Sequence, residues 1–365
     1  MSRSGMVVLS LLLPVLPLQA AAQSDYPNTS AMGSMGGPGA PWYRQCLAVQ
    51  SAQPPARDLP SASALHGLRQ CGAQDRYYDT RQRAGATPAD WEQVRHCAYA
   101  ESDPTVLMML YANGYGVSVN HDLALKYACS LPAAPAEMDG RVAHLHQRAL
   151  HHEATPFDQC DDITSGYMGG QCAQIQDRLD SKARTVRLAA IMKSWQPGQQ
   201  VAAARLQQAL EEFAARRADQ ETDMSGTLRG ALAIEAHGVE LDLFARDVQE
   251  AEKGKLPRYS EQQFQQLDKK LNVLYQRIMQ PPQQSSQSPQ SPQSPQSQQA
   301  QKDDGPGLAY GTVTREGVRI TQRAWLAYRD AWVALGAARY PSVAPHAWKA
   351  LLTQRRIEQL DDFES

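Results

Sequence analysis

The chain has 365 residues, with 36 Lys and Arg against 38 Asp and Glu, a formal net charge of -2. This length is enough for two domains and a sizeable core. The near-neutral charge gives no indication of nucleic-acid or anionic-membrane binding. Hydrophobic residues make up 42% of the chain and aromatic residues only 7%, and no long stretch alternates between apolar and polar residues. The composition therefore predicts an all-α protein with wide solvated faces.

The first 22 residues have the pattern of a secretory signal peptide. Arg3 precedes an apolar run over residues 6–18, and Ala20 and Ala22 form a small-x-small cleavage site. The apolar run is too short to span a bilayer, and no cysteine stands at the cleavage site. We therefore expect a periplasmic or secreted protein without a membrane span in its mature form. Residues 23–45, rich in Gly, Ser, Pro and Met, are predicted to be a flexible tether.

An even number of cysteines fits an oxidising compartment. They are Cys46, Cys71, Cys97, Cys129, Cys160 and Cys172. Six cysteines allow fifteen pairings, so the spacing alone leaves the connectivity open. The sequence has no C-x-x-C or C-x-x-H spacing of the kind that binds zinc. The histidines near the end of the first region (His144, His146, His151, His152) also lack metal-ligand spacing. We expect disulfides, no metal and no cofactor.

Residues 46–155 are predicted to form short helices. One covers Ala62 to Tyr78, and another starts with Thr87 as N-cap and Pro88 in the first helical position. The next two helices are separated by glycines and resemble a Sel-one-like repeat, a relative of the tetratricopeptide repeat. The matching residues are Tyr111, Gly114, Gly116, Ala124 and Tyr127. Only one clear copy is present, whereas a stable solenoid needs about three. The region is therefore interpreted either as a scaffold or as a peptide-binding surface.

The C-terminal region contains several amphipathic helical stripes. One runs through Val318, Thr321, Trp325, Tyr328, Trp332 and Leu335, and another through Phe264, Leu267, Leu271, Leu274 and Ile278. We expect these two helices to lie side by side. Residues 174–260 carry further stripes, broken at 222–226, and are interpreted as a helical hairpin. Residues 281–303, a Gln/Ser/Pro repeat, are predicted to be a disordered loop.

The same region resembles the lysozyme-inhibitor LprI family, a group of small helical exported domains. The resemblance is carried by Asp268, Leu271, Asn272, Tyr275, Gln322, Arg323, Trp325, Tyr328, Arg329, Asp330 and Thr353. The stretch Cys160–Ala173 is similar to the first motif of the family. The resemblance therefore predicts an LprI-like helical domain at 156–363, in which residues 174–260 form a helical insert. Alternatively, the Cys160 motif belongs to the first region and the LprI-like core starts near Ala245.

The resemblance also bears on the cysteines. The family usually has a second cysteine pair, roughly where Val333 and Trp348 stand here. Because both cysteines of that second pair are absent here, no unpaired thiol is left behind. The resemblance therefore favours a Cys160–Cys172 bridge. In one straight helix these two residues would lie about 18 Å apart. A bridge therefore requires the segment before Thr164, the predicted N-cap of the next helix, to fold back.

The sequence contains no motif that indicates an enzyme. The carboxylate pairs Glu211–Glu212 and Asp361–Asp362 are interpreted as solvated helix ends rather than as an acid–base pair. Trp325 and Tyr328 are expected in the core, and Arg329 and Asp330 in a helix-surface or interhelical ion pair. Two functions remain open. The resemblance implies a non-enzymatic lysozyme inhibitor that acts by protein–protein occlusion, and the repeat-like region suggests an envelope scaffold that holds another protein.

Overall fold

The computed structural model describes residues 26–32, 37–151, 155–280, 308 and 311–363. Within them it contains 13 α-helices and no strand, which confirms the predicted all-α fold. The predicted signal peptide (1–22) and disordered loop (281–303) lie outside the described residues. No helix in the described part of the chain is long and apolar enough to cross a membrane.

The helices follow one another along the chain. In order they are α1 (Pro41–Val49), α2 (Ala62–Leu65), α3 (Ala73–Gln82), α4 (Pro88–Glu101), α5 (Pro104–Asn113), α6 (His121–Ser130), α7 (Pro135–His151), α8 (Gly166–Met192), α9 (Pro197–Gln220), α10 (Arg229–Glu252), α11 (Glu261–Met279), α12 (Arg315–Arg339) and α13 (Pro345–Asp361). The chain divides into two compact units. The first comprises the described residues of Met1–Ala73 and Trp91–Phe157, and the second those of Gln74–Asp90 and Asp158–Ser365.

The first unit is arranged around α6, which packs against α1, α5 and α7. Helix α5 is buried from Thr105 to Ala112, because its sequence is apolar on every side. The Asp103 side chain caps its start by accepting hydrogen bonds from two backbone N–H groups. Two disulfides, Cys46–Cys129 and Cys71–Cys97, staple this unit. The prediction of disulfide bonds is confirmed.

Two local predictions for the N-terminal part were wrong. The helix expected from Ala62 to Tyr78 is broken after Leu65, because Gly67 and Gly72 adopt positive φ angles of 83° and 71°. Residues 26–32 are not a free tether, since the backbone N–H and the side-chain amide of Asn28 donate to the carbonyls of Cys129 and Ser130. These carbonyls end α6 and lack helical partners.

The main helices of the second unit form a continuous series of contacts. The order is α8, α10, α9, α12, α13 and α11, each packed against the next. The hairpin predicted within 174–260 corresponds to α9 and α10, and α8 occupies the first part of that segment. The stripe of α12 packs mainly against α9 rather than against α11 as predicted, and α13 packs against both α11 and α12. The end of α11 still contacts α12, because Arg315 Nε donates to the backbone carbonyls of Ile278 and Gln280 at 3.0 and 3.1 Å. One core cluster nevertheless contains the apolar faces of both helices.

Candidate functional site

The residues that carry the family resemblance divide into a buried group and a surface group. Leu271, Trp325, Tyr328 and Thr353 are buried, which agrees with the expected core positions of Trp325 and Tyr328. The Tyr328 ring stacks on Phe213 of α9 with centroids 5.5 Å apart, and its hydroxyl accepts a hydrogen bond of 2.8 Å from the indole N–H of Trp332. Burial raises the pKa of Tyr328. Tyr328 therefore packs α12 against α9, and the four residues are part of the core rather than of the surface.

A buried ion pair joins α13 to the end of α9. The two terminal nitrogens of Arg356 donate to the two carboxylate oxygens of Glu221 at 2.8 and 2.6 Å, and both side chains are at most 1% exposed. Gln322, a signature residue, accepts from Arg356 Nε at 2.8 Å. Gln322 therefore orients a buried arginine, a role that the sequence did not reveal. The signal that could have indicated this role is the charged residue next to the apolar stripe of α13, because a buried charge needs hydrogen-bond partners.

The ion pair belongs to a larger polar network. Gln359 accepts from Arg356 at 3.2 Å and donates to Glu240 of α10 at 2.8 Å. Arg217 of α9 also donates to Glu240, at 2.6 Å. Burial raises the pKa of Glu240, although Arg217 and Arg356 oppose the shift. Four helices are thus connected by hydrogen bonds that compensate for the burial of charge.

The surface group lies mainly on α11 and α12. Asn272 and Arg323 are exposed, and Asp268, Tyr275 and Gln322 are half-buried. Asn272 donates to Asp268 at 3.1 Å. Burial raises the pKa of Tyr275, and the positive charges of Arg319, Arg323 and Arg356 oppose the increase. The structure therefore brings Tyr275 of α11 into the electrostatic field of α12. We call Asn272, Tyr275, Gln322 and Arg323 the signature surface.

Arg329 and Asp330 form a separate feature of α12. Arg329 Nε and Nη2 both donate to Asp330, at 3.2 and 3.1 Å. The guanidinium also lies 5.2 Å from the centre of the Trp325 ring, which is typical of a cation–π contact. The geometry is the helix-surface ion pair that the sequence suggested. It covers the buried tryptophan.

At the positions where the family usually has its second cysteine pair, this protein has packed apolar side chains. Trp348 is buried and stacks on Trp332 with centroids 5.0 Å apart, and Val333 is half-buried. A Cβ atom at Gly336 would come within 2.5 Å of the Trp348 indole nitrogen, so glycine permits this approach. The Tyr340 ring also contacts Trp348, with centroids 5.7 Å apart. Aromatic contacts therefore stabilise the turn between α12 and α13.

The Cys160–Cys172 bridge is present, with an S–S distance of 2.03 Å and Cα atoms 5.9 Å apart. The segment before α8 folds back, as this bridge requires, and the Asp158 side chain accepts from the backbone N–H of Cys160 at 3.0 Å. The predicted N-cap was wrong by one residue. Ser165, rather than Thr164, accepts a hydrogen bond from the backbone N–H of Met168 at 3.3 Å.

The repeat-like residues of the first unit have packing roles. Gly114 ends α5 with a φ of 70°, and Gly116 lies so close to Trp91 that an added Cβ would come within 2.5 Å of the Trp91 Cβ. Tyr111 stacks on Tyr127 at 6.0 Å, and burial raises the pKa of Tyr111 to about 12. Ala124 is fully buried. These contacts give the repeat-like residues packing roles within the first unit.

The family model described as "Lysozyme inhibitor LprI" matches residues 246–360. No curated protein and no solved structure matches the chain. The match starts inside α10, close to the alternative start near Ala245, and does not include the Cys160 motif. The Sel-one-like resemblance of residues 46–155 stays a prediction. The part of this protein that carries α11, α12 and α13 is therefore similar to the lysozyme inhibitor LprI family.

Proposed function

We propose that this protein is an extracytoplasmic, non-enzymatic binding protein that inhibits lysozyme by occlusion. The observation that carries the proposal is the family match over residues 246–360. The three disulfides support an oxidising location, because such bonds persist outside the cytoplasm. Both observations agree with the function that the sequence resemblance implies.

The signature surface is the proposed contact region. Of the other signature residues, Leu271, Trp325, Tyr328 and Thr353 are buried, Arg329 and Asp330 form an ion pair over Trp325, and Asp268 accepts a hydrogen bond from Asn272. The signature surface combines an aromatic side chain, Tyr275, with a guanidinium, Arg323, and these two residue types are enriched in protein–protein hot spots. Lysozyme cleaves its substrate with two carboxyl groups in a cleft. A basic, aromatic surface is complementary to such a cleft.

The test is a titration of lysozyme activity on peptidoglycan with the oxidised protein. We expect saturable inhibition, and the double substitution Tyr275→Ala and Arg323→Ala should raise the inhibition constant about thirtyfold or more, since hot-spot truncations cost about 2 kcal/mol or more. Arg205→Ala is the matched control, because Arg205 is exposed on α9 outside the family match.

Circular dichroism would establish that each variant keeps its helices. An absence of inhibition by the unaltered protein at a large molar excess over lysozyme would refute the proposed function. Inhibition that is equally strong with the double variant would refute the signature surface as its origin.

A further inference from the structure

Residues 52–58, between α1 and α2, cross helices that come later in the first unit. At one end of this segment, Lys126 Nζ of α6 donates to the backbone carbonyl of Ala52 at 2.5 Å. At the other end, the hydroxyl of Tyr111 in α5 donates to Asp58 Oδ2 at 3.3 Å. These contacts join residues 74 and 53 positions apart, so both ends of the segment are docked onto α5 and α6.

The middle of the segment has the conformation of an extended, proline-rich ligand. Pro54 and Pro55 have no backbone N–H, and Pro55 has a φ of -56° and a ψ of 143°, close to polyproline II. Both prolines are half-buried. Polyproline II segments are a common class of peptide ligand, because their conformation is fixed before they bind. Residues 52–58 therefore combine a preformed extended backbone with one carboxylate, that of Asp58.

Three tyrosines from three consecutive helices form a hydrogen-bonded chain that ends at Asp58. They are Tyr99 of α4, Tyr111 of α5 and Tyr127 of α6, and we call them the tyrosine triad. Tyr111 gives its one hydroxyl proton to Asp58, so it accepts from the Tyr99 hydroxyl, 3.2 Å away. Tyr99 in turn accepts from Tyr127. Every hydroxyl proton of the triad therefore points towards the carboxylate, and such a chain strengthens each of its bonds.

The tyrosine triad keeps its protons at neutral pH. Burial raises the pKa of all three hydroxyls. The negative charge of Asp58 adds to the increase in pKa at Tyr99 and Tyr111. The triad therefore stays a set of donors suited to a carboxylate.

Asp58 is a buried carboxylate that the chain itself holds with weak contacts. The residue is 5% exposed. A hydroxyl normally donates to a carboxylate at about 2.5–2.7 Å, so the 3.3 Å bond from Tyr111 is long. Arg57 Nε lies 3.8 Å from Asp58 Oδ1, but the Arg57 side chain is 72% exposed and donates to Ser118 Oγ at 3.3 Å. Solvent screens such an exposed pair, so the segment's hold on the triad is weak.

Two disulfides keep the segment beside the tyrosine triad whether or not it is bound. Cys46 precedes the segment and is bonded to Cys129 of α6, and Cys71 follows it and is bonded to Cys97 of α4. A tethered segment of this kind competes at an effective concentration of about 1 mM. Proximity therefore keeps the site occupied even though the individual contacts are weak.

We propose that the tyrosine triad is a binding site for an extended, proline-rich segment of a protein partner, and that residues 52–58 occupy it in the isolated protein. The occupant defines the ligand: its carboxylate accepts from Tyr111, and a backbone carbonyl accepts from Lys126. The partner displaces the chain's own segment, which contains only a 3-10 turn at Ala56–Asp58, so no α-helix has to break. The site lies outside the family-matched residues 246–360 and is independent of lysozyme inhibition.

Fluorescence anisotropy with a labelled peptide of the sequence Ala-Gln-Pro-Pro-Ala-Arg-Asp, that of residues 52–58, tests this proposal. The reference peptide ends in Asn, and both peptides are amidated, so that the Asp side chain is the only carboxylate. The full oxidised protein is compared with two variants that open the site. One is Asp58→Asn, and the other combines Pro54→Gly, Pro55→Gly and Asp58→Ala.

Two further substitutions locate the binding site. Tyr111→Phe, added to Asp58→Asn, removes the hydroxyl that donates to the carboxylate and keeps the ring. Tyr167→Phe in the same background is the matched control, because Tyr167 is 76% exposed on α8 in the second unit. Circular dichroism shows which variants keep their helices. Asp58→Asn conserves the size of the side chain, so it carries the test if the glycine variant unfolds.

We expect the Asp peptide to bind the open variants. The unaltered protein should bind it about tenfold more weakly or worse, because its site is occupied for most of the time. The Asn peptide, and the Tyr111→Phe variant, should each raise Kd about tenfold or more, since a hydrogen bond to a charged group is lost. Tyr167→Phe should change Kd by less than about twofold, because it removes no contact to the ligand.

Four results would each overturn the proposal. They are equal binding to the unaltered protein, equal binding of the Asn peptide, an unchanged Kd in the Tyr111→Phe variant, and no binding of the Asp peptide to a folded open variant at millimolar concentration. Because the assay contains no lysozyme, each of these results is separate from the outcome of the inhibition test.

Discussion

The buried ion pair between Arg356 and Glu221 allows a quantitative test of the second unit. Replacing Arg356 by Met keeps most of the aliphatic volume but removes both hydrogen bonds to Glu221. The carboxylate, 1% exposed, would remain in the core without a counter-charge. Breaking one side of a buried pair costs about 3–5 kcal/mol. The total free energy of unfolding of a domain is about 5–15 kcal/mol, so this loss would be a large share.

The double variant distinguishes the effect of charge from the effect of packing. When Glu221 is also replaced by Met, no buried charge is left unpaired. Replacing a buried ion pair with apolar side chains of similar volume is about neutral or stabilising by 1–4 kcal/mol. We therefore expect the double variant to recover most of the stability lost in the single variant, with a coupling free energy of about 3 kcal/mol.

Urea unfolding followed by tryptophan fluorescence is the appropriate assay. Trp195, Trp325, Trp332 and Trp348 are all in the second unit and report on it. The exposed pair between Arg216 and Glu212, with side chains 44% and 58% exposed, is the control, and Arg216→Met should cost less than about 0.5 kcal/mol. A loss below about 1 kcal/mol for Arg356→Met, or strict additivity in the double variant, would refute the argument that Glu221 is left as an uncompensated charge in a dry core.

Three further outcomes can be measured on the same protein. Burial raises the pKa of Glu240 above 4.5, so the folded protein retains this proton longer than the unfolded chain, and the contribution of Glu240 to stability decreases as the pH rises from about 4.5 through the raised pKa. Glu240→Gln should remove this decrease from a series of urea midpoints, and an unchanged pH dependence would contradict the assignment. Gly116→Ala should lower the melting temperature more than Gly67→Ala, because both positions have positive φ but only Gly116 is crowded by a tryptophan, and equal shifts would refute the steric argument. Replacing Cys46 and Cys129 by Ser should cost about 4–5 kcal/mol in urea unfolding, because this bridge joins residues 83 apart, whereas a cost near zero would show that the reduced unfolded chain is already compact.

Local features of the fold were predictable from the sequence. The stripe from Val318 to Leu335 correctly indicated the buried face of α12, because side-chain periodicity follows directly from helix geometry. Thr87 and Pro88 marked the start of α4, and Thr87 Oγ1 accepts from the Asp90 backbone N–H at 3.2 Å. These signals depend only on residues within a few positions of one another.

Long-range pairing was not predictable in the same way. An apolar stripe shows that a helix needs a partner but does not identify it, and the stripes of α9 and α11 both suit the aromatic face of α12. The pairing of Arg356 with Glu221 joins residues 135 positions apart and leaves no periodic trace. The packing of α8 against α10 likewise depends on how two helices distant in sequence approach each other. The N-cap of α8 was misplaced because Thr164 and Ser165 are adjacent hydroxyl residues that both suit the position.

The position of α9 determines how much of the chain the family-matched segment needs to keep its core intact. Residues 246–360 begin inside α10 and exclude α9, yet Phe213 of α9 stacks on Tyr328 and Glu221 holds Arg356. A chain cut to the matched residues would expose an aromatic helix face to water and leave a buried guanidinium without its carboxylate. The smallest portion that could be transplanted into another protein with its core intact therefore starts ahead of α9, about fifty residues before the region of family similarity.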